Sequence, residues 1–313
     1  MRRASIAALF GGMLFCAMTG IRLSAADSAQ AGARVALGRR LFYDADLSAD
    51  GTMACATCHE QKHGFAEGNR AHPGVTGEAG RRNVPGLANV GRRASLTWGD
   101  PTIRTLEAQA LVPLLGTHPV EMGMLGKERE LPRRLGANPC YRALFRAAFP
   151  DEKGVIDVAT VTRALAAFQR TLVSASAPYD GLAKGALPAG RRVFAARCAS
   201  CHSGPDLTDD RFHRVTDVQP ADRGLGEITG KPADDGKFRT PSLRNVALSA
   251  PYFHDGASPT LAAAIERHEG LKLKPEEQKS ALIFMELLTD HAFVTDARFA
   301  YPDGPCEVTP DGA

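Results

Sequence analysis

Apolar residues recur at helical spacing along much of this chain. In residues 155–171 four apolar side chains share one stripe of a helix: Val158, Val161, Leu165 and Phe168. A second helix is predicted at residues 189–201, and a late apolar stripe follows at Leu282, Met285 and Leu288. Alternating apolar and polar runs, which would indicate strands, are few. The pattern therefore predicts a mostly α-helical protein.

A third helix is predicted at residues 258–270. Ser258 suits the N-cap, Pro259 the first helical position, and Gly270 a C-terminal stop. Three residues of this helix fall on one face, at positions i, i+4 and i+7: Leu261, Ile265 and His268. A histidine at the end of an apolar stripe is either a packed or surface side chain or a ligand, and the pattern alone leaves both open.

Long loops separate the predicted helices. Segments rich in Gly, Pro, Arg and Asp occupy residues 73–85 and 204–241. A low-complexity hinge lies between them at residues 174–178. Loops of this length usually carry function. A chain of 313 residues also suits two domains with separate cores. We predict domains at residues 27–178 and 179–300, with a tail at residues 301–313.

The N-terminus has the pattern of an export signal. Arg2 and Arg3 precede an apolar stretch at residues 6–21, and small residues follow at 24–26. Residues 1–26 are therefore predicted to be a removed signal peptide, which implies a periplasmic protein without a membrane segment after cleavage. A retained anchor is the alternative, but the apolar stretch is short for a membrane span.

The charge of the chain gives no support to nucleic-acid or lipid binding. Composition is ordinary for a globular protein, with 44% hydrophobic and 23% charged residues. The formal charge of +3 comes from Arg2, Arg3 and Arg22, because removing these three from 38 Lys and Arg leaves 35, equal to the 35 Asp and Glu. A neutral mature chain lacks the basic footprint of a nucleic-acid-binding protein.

Cysteine spacing identifies the cofactor. Two copies of C-x-x-C-H occur, and together they contain Cys55, Cys58, His59, Cys198, Cys201 and His202. This motif attaches haem c, because its two thiols reach the two vinyl groups of one porphyrin and the adjacent histidine ligates the iron. A zinc half-site or a thioredoxin-like pair could explain one copy, but two copies with a trailing His disfavour both. Two covalently bound haem c groups are predicted.

Two further cysteines, Cys140 and Cys306, lie outside these motifs and the signal. In an oxidising compartment a disulfide between them is favoured. Two buried free thiols remain the alternative, since sequence does not show geometry.

Several other segments accompany the haem motifs: Arg82-Asn83-Val84-Pro85, Trp98, Gln109 with Pro113, Glu121-Met122-Gly123-Met124, Tyr141-Arg142-Ala143-Leu144-Phe145, Leu243-Arg244-Asn245 and Ala250-Pro251-Tyr252-Phe253-His254. With them the chain resembles the bacterial di-haem cytochrome c peroxidase and MauG family over nearly its whole mature length. The resemblance implies two cytochrome-c-like α domains, each wrapping one haem, with a peroxidatic haem in the first and an electron-transfer haem in the second. It also implies a calcium ion at the domain interface, and a C-terminal tail that returns to the first domain and favours a Cys140–Cys306 disulfide.

The resemblance implies roles for individual residues. His59 and His202 match the proximal ligands of the first and second haem iron. Gln109 and Glu121 match the distal pocket of the peroxidatic haem, and Trp98 matches the tryptophan between the haems.

Calcium binding and the second distal ligand are implied in the same way. Asn83 matches the calcium-binding asparagine, while Ser249 and Pro251 match the two residues whose backbone carbonyls bind the ion. His268 falls where the family places the distal ligand of the second haem, a position held by Met in the peroxidases and Tyr in MauG. Met285 and Tyr252 are the rival ligands.

Two other departures from the family pattern bear on function. Peroxidases that need reductive activation carry a displaceable distal His where this chain has Val75, so the first haem is predicted to be open; ligation by the nearby His72 is the alternative. The spacing from Gln109 to Glu121 is longer than in the best-known members. It resembles a MauG-related subgroup that includes the methanobactin-associated enzymes (MbnH), which oxidise a tryptophan on a partner copper-binding protein.

The function that the resemblance implies is peroxide-dependent oxidation of a protein partner through a high-valent di-haem state. Glu121 would supply the general acid–base step. Axial Met raises a haem potential, so a second haem with two His ligands favours MauG-like chemistry. The alternatives are a cytochrome c peroxidase taking electrons from a small cytochrome or cupredoxin, and an electron-transfer cytochrome without catalysis.

Overall fold

The computed structural model describes residues 25–182, 189–302 and 304. The predicted signal peptide lies almost wholly outside these residues and stays a prediction, as does any pairing of Cys306. Within the described ranges, every helix is too short or too polar to cross a membrane.

Helices dominate the described residues. They are α1 Ala25–Phe42, α2 Cys55–Cys58, α3 Leu106–Leu115, α4 Glu130–Ala137, α5 Pro139–Ala148, α6 Val158–Arg170, α7 Ala189–Arg197, α8 Leu225–Thr229, α9 Leu261–Arg267, α10 Pro275–Glu286 and α11 His291–Thr295. Two short antiparallel strands, β1 Phe212–His213 and β2 Phe238–Arg239, pair with Phe212 opposite Arg239. The predicted mostly α class with long loops is confirmed.

The first hydrophobic cluster is built around α1 and α6. The predicted helix at residues 155–171 is confirmed as α6, which begins after the N-cap Asp157, whose side chain accepts a hydrogen bond from the Thr160 amide at 2.8 Å. The predicted stripe is buried at Val161, Leu165 and Phe168. Gly38 lets α1 approach closely, because a Cβ there would lie 1.9 Å from the Ala164 carbonyl oxygen.

The second cluster is built around α7 and α10. Gly190 permits their contact, since a Cβ there would lie 2.0 Å from the Ser280 carbonyl oxygen. Phe194 and Phe284 pack with ring centroids 4.9 Å apart. The prediction of one helix over residues 189–201 was wrong at its end: α7 stops at Arg197, and the second haem motif follows in a turn.

The predicted caps of the third helix were also wrong. Thr260 is the N-cap of α9, and its side chain accepts a hydrogen bond from the Ala263 amide at 3.1 Å. Ser258 instead pairs through its backbone with Tyr252, whose amide donates to the Ser258 carbonyl at 2.8 Å. The helix ends at Arg267, so His268 is the C-cap.

The end of the described chain lies against α1. Phe293 and Phe299 belong to the first hydrophobic cluster. The Tyr43 hydroxyl donates to the Phe299 carbonyl at 2.7 Å, and Arg40 donates to the Gly304 carbonyl at 3.0 Å. The predicted bounds of the domains and tail stay predictions.

We expect mass spectrometry of alkylated, unreduced protein to identify a peptide linked through Cys140 and Cys306. Cys140 lies in the first turn of α5, beside Tyr141. The Tyr141 hydroxyl donates to Asp44, which follows α1, and the end of the described chain lies against α1. Closing so long a loop would stabilise the protein by about 4–5 kcal/mol in the chain-entropy description. Reduction before alkylation is the control, and alkylated thiols at both positions in unreduced protein would contradict the prediction.

Candidate functional site

The first haem motif lines a cavity of about 260 Å³. Residues predicted for the first haem site that line it are Cys55, Cys58, His59, Gln109 and Glu121. Helix α2 carries both cysteines, and the Ala54 amide donates to the Thr57 hydroxyl at 3.0 Å to close its first turn. Burial raises the pKa of both Cys55 and Cys58 to about 12. Thioredoxin-like pairs need a lowered thiol pKa, so these cysteines do not suit thiol redox chemistry.

His59 is held as a neutral imidazole. Its Nδ1 lies 2.7 Å from the Phe65 carbonyl oxygen, which can only accept, so Nδ1 carries the proton. Burial lowers the pKa of His59 to about 4. Nε2 therefore keeps a lone pair that suits an iron ligand.

The same cavity is also lined by Gln109, which lies on α3, and by Glu121, which follows α3. Backbone hydrogen bonds fix Glu121 on both sides: the Val75 amide donates to its carbonyl at 2.8 Å, and the Met122 amide donates to the Pro113 carbonyl at 2.9 Å. Burial raises the pKa of Glu121, although the nearby His72 lowers it. The carboxyl group therefore takes up a proton more readily than an exposed one.

His72 also lines the smaller cavity. Its Nδ1 donates to the Pro73 carbonyl at 2.7 Å. The loop that carries His72 is bonded to Glu121 through Val75.

The second haem motif lines a larger cavity, of about 460 Å³, together with His268, Tyr252 and Met285. His268 Nδ1 donates to the Ala264 carbonyl at 2.8 Å, and His202 Nδ1 lies 3.3 Å from the Leu207 carbonyl. Burial and then the charge of His268 lower the pKa of His202 to about 4. Burial also lowers the pKa of His268. Two neutral imidazoles with free Nε2 atoms thus line one cavity.

The two rival ligands in this cavity differ in how they are held. The Tyr252 hydroxyl donates to the Val246 carbonyl at 3.1 Å, and burial raises the pKa of Tyr252 to about 12. Met285 is buried in the hydrophobic cluster of α7 and α10. A neutral phenol that is already hydrogen-bonded suits iron ligation less well than a free imidazole nitrogen.

Trp98 lies in the wall between the cavities and lines both, as do Asn83, Val84 and Pro85. It is buried, its indole N–H donates to the Asn83 carbonyl at 2.8 Å, and its own carbonyl accepts from the Arg239 amide at 2.8 Å. These bonds hold the indole in place between the two candidate haem sites.

The three predicted calcium-binding residues also come together. Asn83, Ser249 and Pro251 line the larger cavity. The Asn83 side-chain amide donates weakly to the carbonyls of Asn69 and Arg70, at 3.3 and 3.4 Å, so its oxygen remains available. Oxygen donors of this kind suit calcium.

Two charged residues with a buried, unpartnered side-chain atom in the described part of the chain were missed from the sequence. Glu67 is 1% exposed; one carboxylate oxygen accepts from Asn69 at 2.9 Å, and the other has no hydrogen-bond partner in the described part of the chain. Arg93 lines the larger cavity and has one buried terminal nitrogen without a partner there. Both lie in loops, where periodicity gives no indication of burial.

Comparisons with known proteins identify the family of this chain. A family model described as di-haem cytochrome c peroxidase matches residues 32–187. The methylamine utilization protein MauG of Methylorubrum extorquens is 37% identical over 262 residues, covering 80% of this chain and 71% of that protein. Cytochrome c551 peroxidase of Nitrosomonas europaea is 30% identical over 271 residues, covering 81% of this chain and 79% of that protein.

A solved structure is also similar. The crystal structure of a MauG-like protein associated with microbial copper homeostasis aligns with a TM-score of 0.81 and 34% identity, covering 86% of this chain and 93% of that one. The chain therefore belongs to the di-haem cytochrome c peroxidase and MauG family, whose members are haem-dependent oxidoreductases with two haem c groups.

Proposed function

We propose that this protein is a periplasmic enzyme that uses hydrogen peroxide to oxidise a side chain of a protein partner, as MauG-like enzymes do. The observation that carries the proposal is the pair of neutral imidazoles, His202 and His268, in a cavity that Trp98 separates from the one containing Glu121. A tryptophan or tyrosine of the partner is the substrate.

The residues present fit two haem c groups. Cys55, Cys58 and His59 would hold the first. Cys198, Cys201, His202 and His268 would hold the second. When bound, the haems supply the redox chemistry with peroxide. Each Nδ1–H bond to a backbone carbonyl orients an imidazole and makes it a better donor.

Glu121 moves the proton that peroxide cleavage requires. Its carboxylate would take a proton from one peroxide oxygen and return it to the other, which leaves as water when the O–O bond breaks. The bound haems would supply the two electrons that this cleavage consumes. The raised pKa of Glu121 suits both halves of this transfer. Gln109, which lines the same cavity, orients the peroxide.

Trp98 carries electrons between the two sites. Its indole proton is donated to the Asn83 carbonyl, and a carbonyl oxygen is too weak a base to remove that proton. Trp98 therefore loses and regains an electron without losing its proton. This avoids a proton-transfer step in the exchange.

The second imidazole favours partner oxidation over peroxide detoxification. Methionine ligation raises a haem potential, so a bis-histidine haem is a poorer acceptor from a high-potential donor and gives up an electron more readily. The similar MauG-like structure is associated with copper homeostasis. A copper-binding protein is therefore our proposed partner.

A cytochrome c peroxidase, taking electrons from a small cytochrome or cupredoxin, is the second candidate. The presence of Met285 in the larger cavity favours it, because Met is the distal ligand in the peroxidases. A pure electron carrier is disfavoured, since it needs neither Glu121 nor Gln109.

We also propose that calcium binds between the two sites. The Asn83 side-chain oxygen and the Ser249 and Pro251 carbonyls supply hard ligands, with water completing the shell. The buried Glu67 carboxylate is linked to this region, since it bonds Asn69, whose carbonyl bonds Asn83. Asn83 would thus connect the calcium site with the Trp98 indole.

Adding peroxide to the diferric protein without reductant tests the proposed function. We expect the visible and EPR spectra to change at once and the new state to persist, because both haems share the oxidising equivalents. Adding a reduced small cytochrome to a parallel sample gives the comparison. A requirement for prior one-electron reduction, with rapid turnover of the cytochrome, would instead identify a cytochrome c peroxidase.

A further inference from the structure

We propose that Arg93 binds a propionate carboxylate of the haem in the larger cavity and sets that haem's reduction potential. The proposal rests on the assignment of this cavity to the second haem. Arg93 belongs to neither haem motif and lies in a loop that is distant in sequence from Cys198 and Cys201.

Arg93 is half-buried, and one of its hydrogen-bond donors is buried without a partner among the described residues. It lines the larger cavity, and one of its terminal nitrogens, Nη1, is buried without a hydrogen-bond partner in the described residues. The other, Nη2, donates to the Ala88 carbonyl at 3.2 Å. Buried donors are rarely left unpaired, so an acceptor belonging to a bound group is expected beside Nη1.

The neighbouring arginines are already occupied. Arg244 donates to the Asp180 carboxylate at 2.6 Å and to the Pro205 carbonyl. Arg239 donates to Asp210 at 3.3 Å. Among these three cavity-lining guanidinium groups, Arg93 is the one whose terminal nitrogen remains buried and unpaired.

Two aspartates hold the Arg93 loop in place. The Ala94 amide donates to Asp210 at 3.1 Å, and the Asn89 side chain donates to Asp206 at 2.6 Å. Both aspartates lie in the loop after the second haem motif. These bonds between protein groups hold Arg93 against the second haem site without any contribution from the cofactor.

The chemistry of the missing acceptor follows from the cofactor. Haem c brings two propionate carboxylates, and guanidinium groups pair with carboxylates through two parallel hydrogen bonds. An unpaired propionate charge stabilises the ferric form over the ferrous form. Arg93 offsets that charge, so it raises the reduction potential of the second haem.

Spectroelectrochemical titration of the low-spin haem in the purified di-haem protein tests this proposal. We expect R93Q to shift the ferric–ferrous equilibrium about tenfold toward ferric, a fall of about 59 mV for one electron. The potential of R93K should lie between those of R93Q and the wild type, since lysine keeps the charge but lacks the planar pair of donors. R92Q, at the exposed neighbouring residue, is the matched control and should leave the potential unchanged.

The pH dependence gives a second readout. An unpaired propionate binds a proton more readily, so the R93Q potential should rise as pH falls, while the wild-type potential stays flatter. Equal shifts in R93Q and R92Q, or a loss of thermal stability in R93Q without a shift in potential, would overturn the proposal. If the R93Q protein does not assemble with its haems, R93K provides the test. A wild-type potential in R93K would then overturn the proposal. The measurement uses neither peroxide nor partner, so its failure is distinct from failure of the proposed function.

Discussion

Replacing Glu121 with Gln should slow the reaction with hydrogen peroxide by about 10²–10⁴-fold while both haems stay attached. Glutamine keeps the size of the side chain but cannot take a proton from one peroxide oxygen and return it to the other. Stopped-flow spectra of the diferric protein after mixing with peroxide measure the rate. An unchanged rate would remove Glu121 from the mechanism.

The pH profile separates a proton-transfer role from a structural one. The working form is the carboxylate, and burial raises the pKa of Glu121 above its usual range. The wild-type rate should therefore fall as pH decreases through that raised pKa, and E121Q should lack this limb. Glu107→Gln on α3 is the matched control. Glu107 pairs with Arg170 at 2.8 Å and is not among the residues that line the cavity, so this variant should leave the rate unchanged.

Replacing His268 with Ala should convert the second haem from low-spin to high-spin and raise its reduction potential. Removing the imidazole removes a strong donor to the iron, and the resting EPR spectrum should change from one high-spin and one low-spin signal to high-spin signals alone. His268→Met should keep the low-spin signal, raise the potential and shorten the life of the peroxide-generated state.

Variants of the rival ligands provide the control. Met285→Leu and Tyr252→Phe should leave the low-spin signal in place, because neither residue ligates the iron in the proposed site. If His268→Ala leaves the low-spin signal unchanged while one of these variants removes it, the distal ligand is that residue. The argument for MauG-like chemistry would then lose its main support.

Local sequence was sufficient for the cofactor and for much of the secondary structure. The two C-x-x-C-H motifs identify haem c because thiol spacing and the adjacent histidine are local chemical requirements. Helix α6 was predicted within a few residues because its apolar stripe is a local signal, and the structure shows that it begins after the cap Asp157. The start of α9 was misjudged, since Thr260 and Ser258 both suit an N-cap and only the bridge between Ser258 and Tyr252 decides between them. The end of α7 was misjudged as well.

The environment of each candidate site residue was decided by tertiary structure. The chain pattern placed His268 on an apolar face, but its position in the same cavity as His202 depends on packing between segments far apart in sequence. The raised pKa of Glu121 arises from burial. Trp98 lies between the cavities because Asn83 and Arg239, from the two halves of the chain, hold it. Arg93 had no local signal, since the burial of a loop side chain depends on distant residues such as Asp206 and Asp210. Sequence by itself determined which groups are present, because attachment motifs and helical periodicity are local; their burial, partners and protonation were decided only by the long-range contacts of the folded chain.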